Sequence, residues 1–540
     1  MSKSALPRRS VIVGAAATVV GWNTVGRSWA VGTTDPEASP GAEAAGTTSD
    51  SASGATADAT SDSASGADAL ARVPHLDGTL VADSATLTRF GGDFGHLVTA
   101  APRAVLRPGS VRDVATLVGF ARRHRIPVAM NGQSGTGDAA ELESHSSYGQ
   151  AGVRGGVAID SRGLDRIIRI TPGRAVVEAG VTWAQLTDAA LAKGWMPPNL
   201  TDYLHLSVGG TLSVGGIGGG VQRYGFQVDT VESVDVVTGT GELVTASASA
   251  NRELFEAVLG GGGQAGLIVR ATLRLVRARE RALVLNLFYD DLGAYLADQK
   301  KVMLERRFDL QVGDVSRNAA GTGWRYKVEG VVHYDGAAAP DRAKLVRGLR
   351  CVAADTTFTD QTAREYAYRV DAFAGFLKGA GLWSQPKPWM SLFLPASATE
   401  TFMREATALL TPEDLGAGLL LFYPFRTDVF TRPMTVMPDE PVGFHFDLLS
   451  FPFPGADHAA ALRRNRRLYD RAVQLGGKRY LIGAIPDVTH ADWRRHYGSR
   501  WGRVVAAKRR FDPAGILTPG QGHHTGHPDP GGGRETGHHR

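Results

Sequence analysis

Two glycine-rich stretches carry the residue pattern in this chain best suited to chemistry. Val208–Gly220 reads VGGTLSVGGIGGG, seven glycines in thirteen positions, and Leu259–Gly266 reads LGGGGQAG. Where no β-carbon stands in the way, backbone N–H groups can close around an anionic group, so such turns suit a diphosphate. Neither stretch has the G-x-G-x-x-G spacing after a strand, nor G-x-x-x-x-G-K-[ST], so a Rossmann or P-loop reading fails and a different architecture is implied. The single cysteine, Cys351, rules out an intramolecular disulfide, a cysteine zinc cluster and an iron–sulfur site. His523, His524, His527, His538 and His539 fall in a Gly/Pro-rich tail that reads as solvated, and no metal site is expected. With 59 Lys+Arg against 54 Asp+Glu the net charge is only +5, and no basic block is interleaved with aromatics. A nucleic-acid partner is therefore not expected.

The elements that must position these loops follow from periodicity. A chain of 540 residues with 43% hydrophobic content implies two or three domains with sizeable cores. Apolar Ala104–Leu106 is followed by helical periodicity over Val111–His124, opened by Ser110 as a cap, and then by a buried strand over Ile126–Met130. Strands are predicted at Val157–Asp160, Ala175–Ala179, Val231–Val237 and Leu267–Val276, with a helix over Thr182–Lys193 ending at Gly194. From residue 280 to 478 the rhythm changes. Strand-like Ala282–Tyr289 and Phe444–Phe451 alternate with helices such as Asp457–Leu475, which stops at Gly476. The fold class is α+β.

The first 30 residues read as an address: Arg8 and Arg9 precede the apolar run Val11–Val20 and the small-x-small segment Ser28-Trp29-Ala30. The paired arginines resemble a twin-arginine export signal, which implies a secreted or extracytoplasmic protein folded before export. The apolar run is short of the ~20 residues a spanning helix needs, so stable membrane insertion is not expected. Residues 31–72 are too poor in large apolar side chains to offset their ordering entropy and read as a disordered linker. The tail 523–540 reads the same way.

Longer motifs carry a family resemblance. Thr201–Gly219 (TDYLHLSVGGTLSVGGIGG) resembles the hallmark of cytokinin-dehydrogenase-like FAD oxidases, within the vanillyl-alcohol-oxidase or PCMH-type FAD-binding superfamily. The likeness continues in Asp229–Glu242, Glu253–Arg270, Pro386–Leu392 and Asp492–Gly522, in the family's order. It implies a two-subdomain FAD-binding domain (73–279) and a substrate-binding cap domain whose antiparallel sheet is flanked by helices (280–478). A C-terminal segment (479–522) would then return to the cofactor. It also implies FAD as cofactor, with Gly210, Thr211, Ser213, Gly216 and Gly218 lining the diphosphate and ribityl chain and Ile268 near the adenine side. Tyr480 and Gln521 would lie by the flavin ring or substrate. His145, in His145-Ser146-Ser147-Tyr148-Gly149-Gln150-Ala151, matches the tail of a covalent attachment motif that includes Ser146 and Gln150. Ten extra residues, Ser134–Glu143, interrupt that motif, and a rival alignment puts Gly135 at the histidine position with FAD held non-covalently.

For chemistry, the resemblance makes Asp202 the acceptor of a proton from a substrate amine, with Trp389 the aromatic over the substrate and Tyr480 beside it. Ser391 stands where plant members usually carry asparagine, and Asp93 reads as structural. The implied reaction is oxidation of a C–N bond of a small amine, such as an N6-substituted adenine, to an imine that hydrolyses; the electrons pass on to oxygen or another acceptor. Two alternatives remain at this stage: an alcohol or sugar oxidase of the berberine-bridge type, and a flavin-less binding protein.

Overall fold

The computed structural model describes residues 72–132, 144–318, 323–337 and 339–522, residue 70, and an antiparallel strand pair, Val19–Asn23 with Ser28–Val31. The chain divides into two units, Met1–Arg72 and Val73–Arg540. The strand pair lies in the first and takes in the expected cleavage segment Ser28-Trp29-Ala30. Arg8 and Arg9, most of the linker, the insertion with Gly135, and the tail from His523 lie outside the described residues. Among the described residues no helix is long and apolar enough to cross a membrane.

The second unit opens with a four-stranded sheet of β1 (Thr79–Val81), β2 (Ala104–Arg107), β3 (Val128–Asn131) and β4 (Val157–Asp160), ordered β1-β2-β4-β3. Strands β2 and β3 both run parallel to β4. The crossover helix α1 (Val111–His124) buries Val114, Leu117, Val118 and Ala121, the i, i+3, i+4, i+7 stripe its periodicity predicts. Its expected cap is corrected. The Ser110 hydroxyl donates to Asp77 (2.7 Å), while Asp113 accepts from the N–H groups of Asp77, Gly78 and Gly109, each at 2.8 Å. Ser110 keeps the N-cap position, but its hydroxyl makes no capping bond to the helix, and Asp113 ties the preceding segment to the first turn instead.

An all-antiparallel sheet follows: β5 (Ile167–Thr171), β6 (Arg174–Glu178), β7 (Val231–Val237), β8 (Leu243–Ser247) and β9 (Leu267–Arg274), ordered β8-β7-β9-β6-β5. Helix α2 (Trp183–Leu191) starts at a capping box of Thr182 and Gln185. The first glycine stretch is only half loop: Val208–Val214 forms a short helix, α3. Tertiary contact overrides its poor helix propensity. A β-carbon on Gly209 would lie 2.6 Å from that of Ala179, so glycine lets α3 seat against the end of β6.

The cap is one eight-stranded antiparallel sheet. Its strands are β10 (Arg281–Tyr289), β11 (Leu310–Arg317), β12 (Trp324–Tyr334), β13 (Thr357–Thr362), β14 (Met390–Pro395), β15 (Leu419–Arg426), β16 (Val442–Leu449) and β17 (Lys478–Gly483), ordered β13-β10-β12-β11-β15-β16-β14-β17. Because β17 is hydrogen-bonded to β14, the chain leaves the cap only after Gly483. One face, with Leu285, Leu392, Phe422 and Phe446, packs on helices α4 (Leu292–Leu304), α5 (Thr399–Leu409) and α6 (His458–Gln474). The other face sends Val312, Phe393, Tyr423 and Phe425 into the core of the five-stranded subdomain. The candidate site lies along that second face.

Candidate active site

The cofactor side is built from backbone. Gly132, at the end of β3, and Gly210, in α3, come from different subdomains yet face each other. A β-carbon on Gly210 would lie 3.8 Å from the Gly132 Cα. The Ser207 hydroxyl lies between them, 2.5 and 2.8 Å from where β-carbons on Gly132 and Gly210 would stand, so two bare glycines and one hydroxyl line this stretch of the seam, a cradle suited to an anionic group. Gly216 has a positive φ of 77°, and its N–H donates to the Tyr480 hydroxyl at 2.9 Å. Tyr480 therefore ties the glycine turn to β17, and burial holds its phenol well above the ordinary value. The hydroxyls of Thr211 and Ser213 turn inward: Trp183 Nε1 donates to Thr211 (2.7 Å), and Ser213 donates to the Gly209 carbonyl (2.8 Å). What these two positions offer a ligand is main chain. Ile268, buried in β9, pairs with Val236 and likewise offers only its backbone edge.

The second glycine loop closes on α3 and on the C-terminal segment. Its Gly260 and Gly262 N–H groups donate to the carbonyls of Leu212 and Ser213 (2.9 and 2.7 Å). Gln264 donates to the Thr518 carbonyl at 2.8 Å. Gly520 then packs so tightly on the segment 149–152 that a β-carbon would sit 2.1 Å from the Gly149 carbonyl oxygen. Gln521 is brought beside this loop, buried, its Oε1 without a partner.

The loop carrying His145 is fastened from below by Asp93, read from sequence as structural. Its carboxylate accepts from Gly95 N–H (3.1 Å), Gly149 N–H (2.7 Å) and the Ser146 hydroxyl (2.8 Å), while burial pushes its pKa up to about 6. Gln150 closes the same loop, accepting from the N–H groups of Ser147 and Tyr148 and donating to the Gly483 carbonyl (3.1, 2.8 and 2.9 Å). Ser146 and Gln150 are thus spent on holding His145 in place. The half-buried His145 imidazole stacks on Phe94 with ring centroids 4.1 Å apart; its Nδ1 is shielded from solvent and has no partner. Burial, and secondarily the charge of Lys387, push its pKa down to about 3, so the ring is neutral with a free lone pair on one nitrogen. Lys387 lies 4.2 Å over the Phe94 ring.

Aromatic rings wall this end. Trp389 meets Phe94 edge-on at 4.9 Å and His145 at 5.6 Å, its indole N–H donating to the Ser450 carbonyl at 2.8 Å. Tyr203 stacks 6.1 Å from His145. Asp202, next to Tyr203, is ion-paired with Arg369, whose Nε also lies 3.2 Å from Glu329. Burial works against the Arg369 guanidinium, but Tyr366, Asp202 and Glu329 more than offset it and hold it above its ordinary value. The structure therefore brings Asp202, Trp389 and His145 to one region.

Sequence reasoning missed two features. Arg369 sits in a stretch with no pattern to mark it. The other is a polar row on the inward face of the cap: Ser391 of β14 is paired across from Asp447 of β16, and His445 pairs with Phe393 on one side and Tyr423 on the other. A signal for this row existed, since His445 and Asp447 alternate with phenylalanine and so must share one face of a strand. Burial, and then the charge of Asp202, push Asp447 up to about 7 although Ser391 donates to it.

Comparison with known proteins agrees with this division of labour. A family model described as FAD binding domain matches residues 102–247, and one described as cytokinin dehydrogenase 1, FAD and cytokinin binding, matches residues 313–523. The uncharacterized oxidoreductase ORF5 in the fasciation locus of Rhodococcoides fascians is 37% identical over 446 residues, covering 82% of this chain and 99% of that protein. Cytokinin dehydrogenases 10 and 4 of Oryza sativa subsp. japonica are each 33% identical, covering 82% and 83% of this chain and 87% and 90% of their own length. FAD is the cofactor these findings support, and the residues fit it. The glycine cradle suits a diphosphate, and the free lone pair of His145 and the unpartnered Ser147 hydroxyl and Gln521 Oε1 are polar groups awaiting a ligand. The flavin-less reading is thereby set aside.

Proposed function

Because this chain belongs to the cytokinin dehydrogenase family of FAD-dependent oxidoreductases, we propose that it oxidises the C–N bond of an N6-substituted adenine to an imine. Water then splits the imine into an aldehyde and the free amine. The observation that carries the reading is Asp202 held by Arg369 beside the aromatic wall of Tyr203, His145 and Trp389. Bound FAD supplies the acceptor for the hydride that leaves the substrate carbon. The chain's own residues do the rest. Asp202 takes the proton from the substrate N–H as the C=N bond forms, and Arg369 and Glu329 fix where that carboxylate sits. Trp389 and Tyr203 offer flat faces to a planar substrate and exclude water, and Phe94 supports His145 and Trp389 from behind. Oxygen or another small oxidant is the second substrate.

The alcohol or sugar reading is less favoured. A second flavin attachment by cysteine would need a thiol at the site, yet Cys351 packs against the helix-covered core of the cap, beside Thr356. Anaerobic mixing of the purified protein with N6-substituted adenines, alcohols and sugars tests this. The adenines should bleach the flavin absorption and release an aldehyde; bleaching by alcohols or sugars with the adenines inert would overturn the proposal. The same reading extends to the compartment, with export in folded form directed by Arg8 and Arg9. Replacing both by lysine should strand the precursor in the cytoplasm, and unchanged export would refute this part.

A further inference from the structure

His445 stands out on the inward face of the cap sheet. It is fully buried and walled by Tyr423, Phe393 and Tyr480, with centroids 5.2, 5.5 and 6.4 Å away. Neither ring nitrogen has a hydrogen-bond partner. Leaving even one buried polar group unpaired is costly, and a strand position between Phe444 and Phe446 would accept any apolar side chain. The nearest polar group is Asp447, whose Oδ2 lies 4.0 Å from His445 Nε2, too far for a hydrogen bond. Ser391 occupies the other carboxylate oxygen.

The gap has a definite size. One oxygen about 2.8 Å from each atom would bridge His445 Nε2 and Asp447 Oδ2 with ordinary hydrogen-bond lengths. That atom must accept from one side and donate to the other, which a hydroxyl does. A neutral group suits this place, because burial keeps His445 uncharged and disfavours the charged form of Asp447. Asp202, whose charge acts on Asp447, already pairs with Arg369.

We propose that Ser391, Asp447 and His445 form a specificity row that hydrogen-bonds a neutral hydroxyl on the substrate. The row selects hydroxylated substrates over their deoxy analogues. It rests on the dehydrogenase reading above for the identity of the substrate, not for its own chemistry.

The test compares flavin-loaded wild type with His445→Leu on a matched pair, N6-(3-methylbut-2-enyl)adenine and its 4-hydroxy derivative. Wild type should prefer the hydroxylated member in kcat/KM, and His445→Leu should lower that preference about tenfold. His445→Gln, which keeps a donor and an acceptor, should restore part of it, as a merely structural histidine would not. If His445→Leu fails to fold, Ser391→Ala, the smallest change in the row, must lower the preference in the same direction. A ratio equal in wild type and variants, with only the melting temperature changed, would overturn the proposal in favour of a histidine satisfied by buried water. If the adenines are inert while alcohols bleach the flavin, the dehydrogenase reading falls, and the row stands or falls by a monoalcohol and its diol in the same variants. Bleaching by none of these compounds would overturn both.

Discussion

The two sides of this site are made of different material. The cofactor side is main chain laid bare by glycine, with Gly132 and Gly210 meeting across a seam between subdomains. The substrate side is side chain: Asp202 on a loop, and Ser391, His445 and Asp447 projecting from neighbouring strands of one sheet face. A cradle of backbone recognises any diphosphate and leaves little to vary. A sheet face can be rewritten one residue at a time without moving a strand, because alternate residues already share that face. The difference teaches where to look for what distinguishes this enzyme from its relatives: in the side chains on the inward face of the cap sheet, not in the glycine loops.

The sharpest way to break that comparison is at His145, the one side chain on which the cofactor side would depend. If FAD is attached there, acid-denatured protein run on a gel should show a fluorescent band that His145→Ala abolishes completely. Release of all flavin from wild type on precipitation would favour the Gly135 alignment, leaving the cofactor side with no essential side chain. Next comes Asp202→Asn, which keeps shape but removes the charge. General base catalysis contributes about 10²–10⁴-fold, so flavin reduction should slow by that order while flavin content holds. Stopped-flow reduction normalised to bound flavin checks it; a rate within about threefold of wild type would mean another group takes the proton.

Gly218 joins the two sides. A β-carbon there would lie 1.8 Å from the Leu200 carbonyl oxygen, a backbone atom two residues before Asp202. Gly218→Ala must therefore move either the glycine turn or the segment carrying the base. A stability loss of about 3 kcal/mol is expected, as for an overpacked core. It should come with reduced flavin content, read from a urea melt and from the ratio of visible to ultraviolet absorbance. Normal flavin content and unaltered stability would show that the turn yields freely and positions nothing.

Much of the cofactor side was legible in the chain. The α1 stripe, the strands Val157–Asp160 and Val231–Val237, and the two glycine stretches follow from periodicity and composition, local properties that survive without the fold. What failed locally failed for tertiary reasons: VGGTLSV became helix because α3 packs against Ala179, and the Ser110 hydroxyl turns away from the helix to Asp77. The substrate side was hardly legible beyond the residues the family resemblance supplied. Ser391 meets Asp447 only through the register of β14 on β16, and Arg369 reaches Asp202 across 167 residues of chain. Non-local pairing of this kind leaves no periodic trace except the polar beats of FHFD.

The smallest expected effect is also the most direct probe of that row. Asp447 lies in the fold with its pKa raised from 3.8 to about 7, by burial first and the Asp202 charge next, against the donation from Ser391. An acid whose folded pKa is raised contributes its stability in the protonated form. That contribution is complete below the unfolded value and is lost as pH rises through the folded one. His145 and His445 work the other way: both are pushed down to about 3, so their contribution is full above the ordinary histidine range and fades as pH falls. Raw melting curves mix these opposing slopes, so the quantity to measure is the difference in Tm between Asp447→Asn and wild type at each pH, in which the histidines cancel. The neutral amide does not titrate. The difference should therefore drift in favour of the variant, by a few degrees on the order expected for one group, as pH rises from about 4 to about 8, and then level off. A difference that stays flat over that range would mean Asp447 titrates alike folded and unfolded, and the sheet face would then present a charge where a neutral row is described.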